Sequence, residues 1–191
     1  MTIYIKNMVC GRCKRAVREL LEGLGFSVTR VDLGEVDVLN WPSSITADDL
    51  RRVLQANEFD VLDDPKKVLI EQLKTLIINE VFHEKGEKPA HQNFSDYLAQ
   101  KTGHEYPQLS ALFSSVQGLT IEKYIIAQKI ERVKELLTYG ELSVSEIAFR
   151  LGYSSVQHLS NQFKQVTGQT PGAFRQERGR TQRRDLDKVV P

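Results

Sequence analysis

Two cysteines stand three positions apart in Met8-Val9-Cys10-Gly11-Arg12-Cys13, and they are the only cysteines in 191 residues. A strand-like run, Ile3 to Lys6, leads into them and a helical pattern follows. On a loop entering a helix N-terminus, two thiols at this spacing can turn inward onto one soft metal ion. The helix end and the cations Arg12, Lys14 and Arg15 favour the thiolate form that a metal ligand must take. Two sulfurs without a neighbouring His or carboxylate suit two-coordinate Cu(I). Zn(II), which usually gathers four ligands, or another soft ion is the alternative. The same dithiol could instead cycle through a disulfide. Arg12, Lys14, Arg15 and Arg18 make a basic rim beside the loop, either a solvated helix face or a dock for an acidic metal-donor protein.

A second set of candidates lies far downstream, where Leu159, Phe163 and Val166 read as the inward stripe of a helix. That leaves Ser155, Gln157, His158, Asn161 and Gln162 outside near its N-terminal half. Gln and Asn amides can bond adenine edges in a major groove, and Lys164 and Arg175 can meet phosphate. A matching stretch, Tyr106 to Val116, presents Tyr106, Gln108 and Ser110 but has no Lys or Arg. Because phosphate attraction dominates affinity for DNA, weak or asymmetric binding led by the second stretch is expected.

The elements that must position these residues follow from periodicity. Ile3 and Ile5 alternate with Tyr4 and Lys6, as in a half-buried strand. Val17, Leu20, Leu21 and Leu24 form a helical stripe closed by Gly25. Phe26, Val28, Val31 and Leu33 predict a second strand, and Gly34-Glu35 a hairpin turn into a third at Val36 and Val38. Thr46 caps a helix with Leu50, Val53 and Leu54 inward, and Phe59 and Val61 make a short last strand. The order is βαββαβ, a four-stranded antiparallel sheet under two helices.

Beyond Asp64-Pro65, a helix start, the pattern is helical. A helix runs to Phe82, and a loop is expected from His83 to Gln92. Then the sequence repeats. Leu98-Ala99 and Gly103 recur as Ile147-Ala148 and Gly152. Leu109-Ser110, Phe113, Val116, Gly118 and Thr120 recur as Leu159-Ser160, Phe163, Val166, Gly168 and Thr170, at an offset of 49 and then 50 residues. Each copy reads helix, glycine turn, helix. Between the copies runs a helix from about Thr120 to Thr138, apolar at Ile126, Ile130, Val133 and Leu137. The fold class is α+β: a βαββαβ domain, then an all-α domain of two helix-turn-helix units joined by a long central helix.

Charge agrees with this division. Residues 1–64 carry 8 Lys and Arg against 11 Asp and Glu, and the remainder 18 against 14, so the second half is better suited to an anionic partner. No apolar run approaches the roughly 18 residues of a membrane span, and no basic-then-apolar leader opens the chain. Two cysteines in that setting fit a reducing cytoplasm and no membrane association. No nucleophile–base pairing, phosphate-cradling glycine loop or paired-carboxylate motif is present, so a non-enzyme is expected.

The first stretch, with Met8, Cys10 and Cys13 on its first strand–helix loop, resembles the heavy-metal-associated, ferredoxin-like domain of copper chaperones and metal-pumping ATPases. The resemblance implies that Cys10 and Cys13 ligate, that Met8 is a buried anchor, and that Phe59 is the aromatic of the last strand; Glu58 stands where the family has glycine. The second half resembles the DNA-binding domain of the AraC/XylS family of bacterial transcription regulators. Leu142-Ser143-Val144-Ser145-Glu146-Ile147-Ala148-Phe149-Arg150-Leu151-Gly152-Tyr153, with Phe163, Gly168, Pro171 and Phe174, carries that resemblance. It implies that Tyr106 to Val116 and Ser155 to Val166 are recognition helices. Relatives often have an Arg near Ala111 and at Asn161. The expected domains are 1–64, 65–178 and a basic tail, 179–191. Together these imply a Cu(I)-responsive regulator of promoter DNA, with a metal-bridged homodimer as one mode of action. A metal chaperone or buffer with a protein-interaction body, and a thiol-redox regulator, are the rival readings. The histidines, without shared spacing, read as surface residues.

Overall fold

Alternation at Ile3 and Ile5 places both side chains in the core beneath the first strand, β1 (Thr2–Lys6). The computed structural model describes residues 1–82, 88, 89 and 92–177. The expected 179–191 tail, His83, His91 and most of the loop between them lie outside the described residues. Helix α1 (Gly11–Gly23) buries Val17 and Leu21, and Gly25 behind it takes φ +88°, the left-handed turn that glycine permits. Strands β2 (Val28–Asp32) and β3 (Glu35–Val38) pair antiparallel with Asp32 opposite Glu35, so the turn itself is Leu33-Gly34, one position earlier than expected. Phe26 lies ahead of β2, where its ring meets Trp41 edge-on at 5.2 Å.

Helix α2 (Ala47–Gln55) starts on a complete capping box. The Thr46 hydroxyl accepts from the Asp49 N–H, and the Asp49 carboxylate accepts from the Thr46 N–H. Strand β4 is only Asp60–Val61, so Phe59 is buried just outside it. The sheet order is β2-β3-β1-β4, with β1 antiparallel to both of its neighbours. Ile3, Ile5, Met8, Val17, Leu21, Phe26, Val36, Val38, Leu50, Leu54 and Phe59 form one core. Each such side chain contributes roughly 1.5–3 kcal/mol on full burial.

Helix α3 (Pro65–Phe82) is uninterrupted. The chain forms two compact units, Met1–Leu76 and Ile77–Pro191, so the division falls inside α3 and not ahead of it. The physical reason is that the first turns of α3 belong to the βαββαβ unit: the Glu71 carboxylate accepts from the Asn7 N–H at 3.2 Å.

The second unit continues with α4 (Phe94–Thr102) and α5 (Tyr106–Gln117), then α6 (Ile121–Tyr139). It closes with α7 (Val144–Arg150), α8 (Val156–Thr167) and α9 (Pro171–Gln176). The repeat is visible in the backbone. Gly103 and Gly152, in the two turns, have φ +70° and +68°. Gly118 and Gly168 end α5 and α8, and Thr120 and Thr170 cap the next helix in each copy. Ser143 and Glu146 close the capping box of α7. Phe113 meets Tyr124 at 5.5 Å in the first copy, and Phe163 meets Phe174 at 5.5 Å in the second.

Two expectations need correction. Helix α6, 19 residues and so about 28 Å long, is not a rod with one apolar face. It is buried nearly all round, including Gln128, Glu131 and Lys134, because helices of both repeats pack on it; Glu131 and Lys134 pair at 2.6 Å. Val166 does not point inward: it is 45% exposed, since α8 has run past the end of its core by that turn.

Candidate metal loop and nucleic-acid interface

Cys10 is the N-cap residue of α1, with extended backbone (φ −154°), and its side chain makes no capping hydrogen bond. Cys13 follows in the first turn, and the two sulfurs lie 3.3 Å apart as free thiols, both half-buried. Burial works against ionising Cys10, but it is outweighed: the nearby N–H dipoles of Cys13 and Arg12, the Cys13 thiol and the Arg12 charge together hold the Cys10 thiol below its ordinary value. Cys13 moves the other way, raised by burial and by its hydrogen bond to, and the charge on, Cys10. The two thiols are therefore unequal, Cys10 ionising ahead of Cys13, and the helix N-terminus favours the Cys10 thiolate. Iodoacetamide at neutral pH should alkylate Cys10 ahead of Cys13. The Cys10 rate should climb as pH rises toward its lowered value and level off before Cys13 ionises. Peptide mass mapping over a pH series checks this, and equal labelling of both thiols would contradict the asymmetry.

Met8 is 2% exposed in the core beneath the loop, so it packs and presents no sulfur to the loop surface. The loop is pinned from behind. Asn7 has φ +70°, its side-chain amide donates to the Glu58 carbonyl at 2.9 Å, and Glu58 itself has φ +65°. The position where the resembling family has glycine thus keeps the left-handed backbone with a glutamate on it. No group of three or more His, Cys, Asp or Glu is assembled as a metal site among the described residues. The donor set is two sulfurs, which fits a two-coordinate soft ion and leaves a tetrahedral zinc site half complete. Of the basic rim, Lys14 pairs with Asp32 at 2.9 Å and Arg18 with Glu22 at 3.2 Å, while Arg12 and Arg15 are exposed.

In the second unit, Ser155 caps α8 by accepting from the His158 N–H at 3.0 Å. Gln157, His158, Asn161 and Lys164 are exposed on one side, with Leu159 and Phe163 fully buried on the other. The Gln157 amide donates to Asn161 at 2.7 Å, giving a pre-set pair of amides one helical turn apart. His158 is held by Ser154 at 3.0 Å and by the edge of the Tyr153 ring. Gln162 is half-buried and accepts from the Tyr153 hydroxyl at 2.8 Å, so part of its hydrogen-bonding capacity is spent inside the fold. Arg175 is half-buried on α9 and donates to the Leu142 carbonyl ahead of α7. It ties the unit together where a phosphate contact was expected.

Helix α5 exposes Gln108, whereas Ser110 and Tyr106 are half-buried. The Tyr106 hydroxyl donates to the Glu122 carboxylate; burial first, and that carboxylate second, hold the phenol above its ordinary range. Lys129, unremarked in the sequence, donates to the Leu151 carbonyl at 2.8 Å and sits over the Tyr153 ring, fixing the turn between α7 and α8. Burial pushes its ammonium below the ordinary lysine value, with Lys88 adding to the effect. Periodicity gives no signal for such contacts, because each joins residues of different elements.

Residues 98–177 match the helix-turn-helix domain family. The chain is 28% identical over 83 residues to the uncharacterized HTH-type transcriptional regulator YtdP of Bacillus subtilis (strain 168), covering 44% of this chain and 11% of that one. It is 33% identical over 82 residues to the HTH-type transcriptional regulator GlxA of Rhizobium meliloti (strain 1021), covering 43% and 25%. The chain thus spans a quarter or less of the length of these relatives. Among solved structures, the C-terminal domain of AraT from Geobacillus stearothermophilus superposes with TM-score 0.49 at 22% identity, over 60% of this chain and 86% of that one. The DNA-binding domain of AdpA, solved with a target DNA, gives TM-score 0.47 at 24% identity, over 58% and 96%. No helix among the described residues is long and apolar enough to cross a membrane.

Proposed function

We propose that this chain is an AraC-type transcription regulator that binds promoter DNA through α8 and answers to Cu(I) held by Cys10 and Cys13. The observation that carries the proposal is the presence, in one chain, of a match to the helix-turn-helix domain family and a Cys-x-x-Cys loop whose two sulfurs lie 3.3 Å apart at a helix N-terminus. The βαββαβ order and the β2-β3-β1-β4 sheet support a ferredoxin-like, heavy-metal-associated first domain. Zn(II) would need two more ligands; Cu(I) shared by two copies of the loop would bridge them through four thiolates. Cu(I), when bound, would supply a charged, soft link between the two sulfurs. A regulator of this kind works in the cytoplasm and catalyses no reaction.

Base readout falls to Gln157 and Asn161, whose paired amides suit adenine edges, and backbone attraction to Lys164. Replacing Gln157 and Asn161 together by Ala should lower discrimination among operator sequences by about 1–3 kcal/mol. Lys164→Ala should weaken all sequences alike and reduce the salt slope of log affinity by about 1. Gln108→Ala, on the cation-free α5, should do less than either. Fluorescence anisotropy with operator variants across a salt series separates these outcomes, and an α5 variant outweighing the α8 pair would reverse the assignment.

The decisive experiment is a mobility-shift titration of the upstream region with reduced protein, with and without Cu(I). A coupling of about 1–3 kcal/mol would shift the midpoint some 5- to 150-fold. A second reading draws support from the 3.3 Å sulfur separation and the split thiols: two-electron oxidation to a Cys10–Cys13 disulfide as the switch. Oxidant alone changing DNA affinity, with Cu(I) doing nothing, would select it. Absence of salt-sensitive DNA binding would select the chaperone reading.

A further inference from the structure

The Cys-x-x-Cys loop is tied to the helix that leaves the first unit by one buried carboxylate. Glu71, 8% exposed on α3, uses its two oxygens for two different partners. Oε1 accepts from the backbone N–H of Asn7 at 3.2 Å, and Oε2 accepts from the buried Lys74 ammonium at 3.0 Å. Asn7 is the last residue before Met8-Val9-Cys10, and its left-handed backbone makes it the corner where β1 turns into the thiol loop. Thr75 on the same helix faces the turn between β2 and β3: a Cβ placed on Gly34 would stand 3.4 Å from its hydroxyl. The chain passes from the first unit into the second inside α3, between Leu76 and Ile77.

We propose that Glu71 is the positioning residue that carries the state of the thiol loop into α3. The proposal rests on the metal-sensing reading above. A buried ion pair is weak evidence for stability, because two well-packed apolar groups often serve as well. Here the pair has a geometric consequence instead. A carboxylate held at one oxygen by the loop backbone and at the other by its own helix cannot follow a shift of Asn7 without dragging on α3. Drawing two thiols onto one ion re-aims the loop from Asn7 to Cys13. An element biased by both sites is what coupling requires, and α3 is continuous from Pro65 to Phe82.

The test compares wild type, Glu71→Gln and Glu71→Leu/Lys74→Met, all as reduced full-length chains, by hydrogen-exchange mass spectrometry with and without Cu(I). The Gln side chain keeps an acceptor oxygen for the Asn7 N–H, but its NH2 cannot accept from the buried Lys74 ammonium, so it breaks one of the two holds. The double variant removes the link at the cost of one unpaired N–H, at Asn7, and leaves no unpaired buried charge; its melting temperature, measured on the same sample, checks that it stays folded. Cu(I) should slow exchange across residues 7–13 in all three proteins. In wild type the change should extend to residues 69–76, in Glu71→Gln, held at one oxygen only, the extension should be smaller, and in the double variant it should be lost. A merely structural role would shift the melting temperature and leave the extension in place. An α3 change of equal size in the double variant overturns the proposal, as does a wild-type response confined to the loop. If no protein changes at residues 7–13, the loop takes no Cu(I), and the metal-sensing reading fails together with the proposal.

Discussion

A Cys10→Ser/Cys13→Ser variant will bind promoter DNA as metal-free wild type does, and Cu(I) will leave its affinity unchanged. The wild-type response, some 5- to 150-fold for a coupling of about 1–3 kcal/mol, will be abolished. Serine matches cysteine in shape, yet its hydroxyl stays protonated at neutral pH and is a poor ligand for a soft ion. The structure also answers the usual objection that such a variant simply unfolds. Cys10 occupies the N-cap of α1 without a capping hydrogen bond, the position where serine is among the preferred residues. The substitution there should therefore hold or raise the stability of α1 by up to about 1 kcal/mol. Cys13 packs only at the margin of the core. Anisotropy titrations and thermal melts on the same samples check both halves of the prediction. A variant that keeps its stability and still answers to Cu(I) would move the sensor elsewhere in the chain.

The thiol loop was legible because everything it needs is local: two cysteines three apart, a strand before and an amphipathic helix after. The repeat was legible for a related reason, since glycines such as Gly103 and Gly152 mark left-handed turns that few other residues accept. Partner choice was not legible. Asn7 reaches Glu71 across 64 positions, Arg175 reaches Leu142 across 33, and Tyr106 reaches Glu122 across 16. Which polar group meets which is decided when the elements pack, and hydrophobic period carries no record of it. The same limit explains α6 and Val166. A 3.6-residue stripe identifies one inward face. It cannot reveal a helix enclosed on several sides, where Gln128, Glu131 and Lys134 are buried, nor where along α8 the core ends.

The two repeats are alike in their cores and unlike on their surfaces, and one pair of substitutions exposes the difference. Phe163→Ala will destabilise the second unit by about 3–5 kcal/mol, the range for a buried Phe truncated in a close-packed core. Phe163 is fully buried against Phe174, among Ile130, Val133, Leu137, Ile147 and Leu159, so no neighbour can collapse into the space without moving a helix. Against a typical stability of roughly 5–15 kcal/mol for a domain, that loss is large. Trp41, the only tryptophan, lies in the first unit and reports on it alone. Helical circular dichroism comes mostly from the second. Urea unfolding should show the dichroism transition moving to lower denaturant while the Trp41 fluorescence transition stays in place; an unmoved dichroism transition would refute the prediction. Phe113→Ala, at the matching position against Tyr124, should cost about as much stability. Its effect on DNA affinity at a temperature where both variants remain folded should be smaller. Phe163 anchors the helix that carries Gln157, Asn161 and Lys164, whereas Phe113 anchors one with no cation to offer a phosphate. Equal losses of DNA affinity would mean that both helices enter the groove on the same terms, and the lead assigned to α8 would have to be given up.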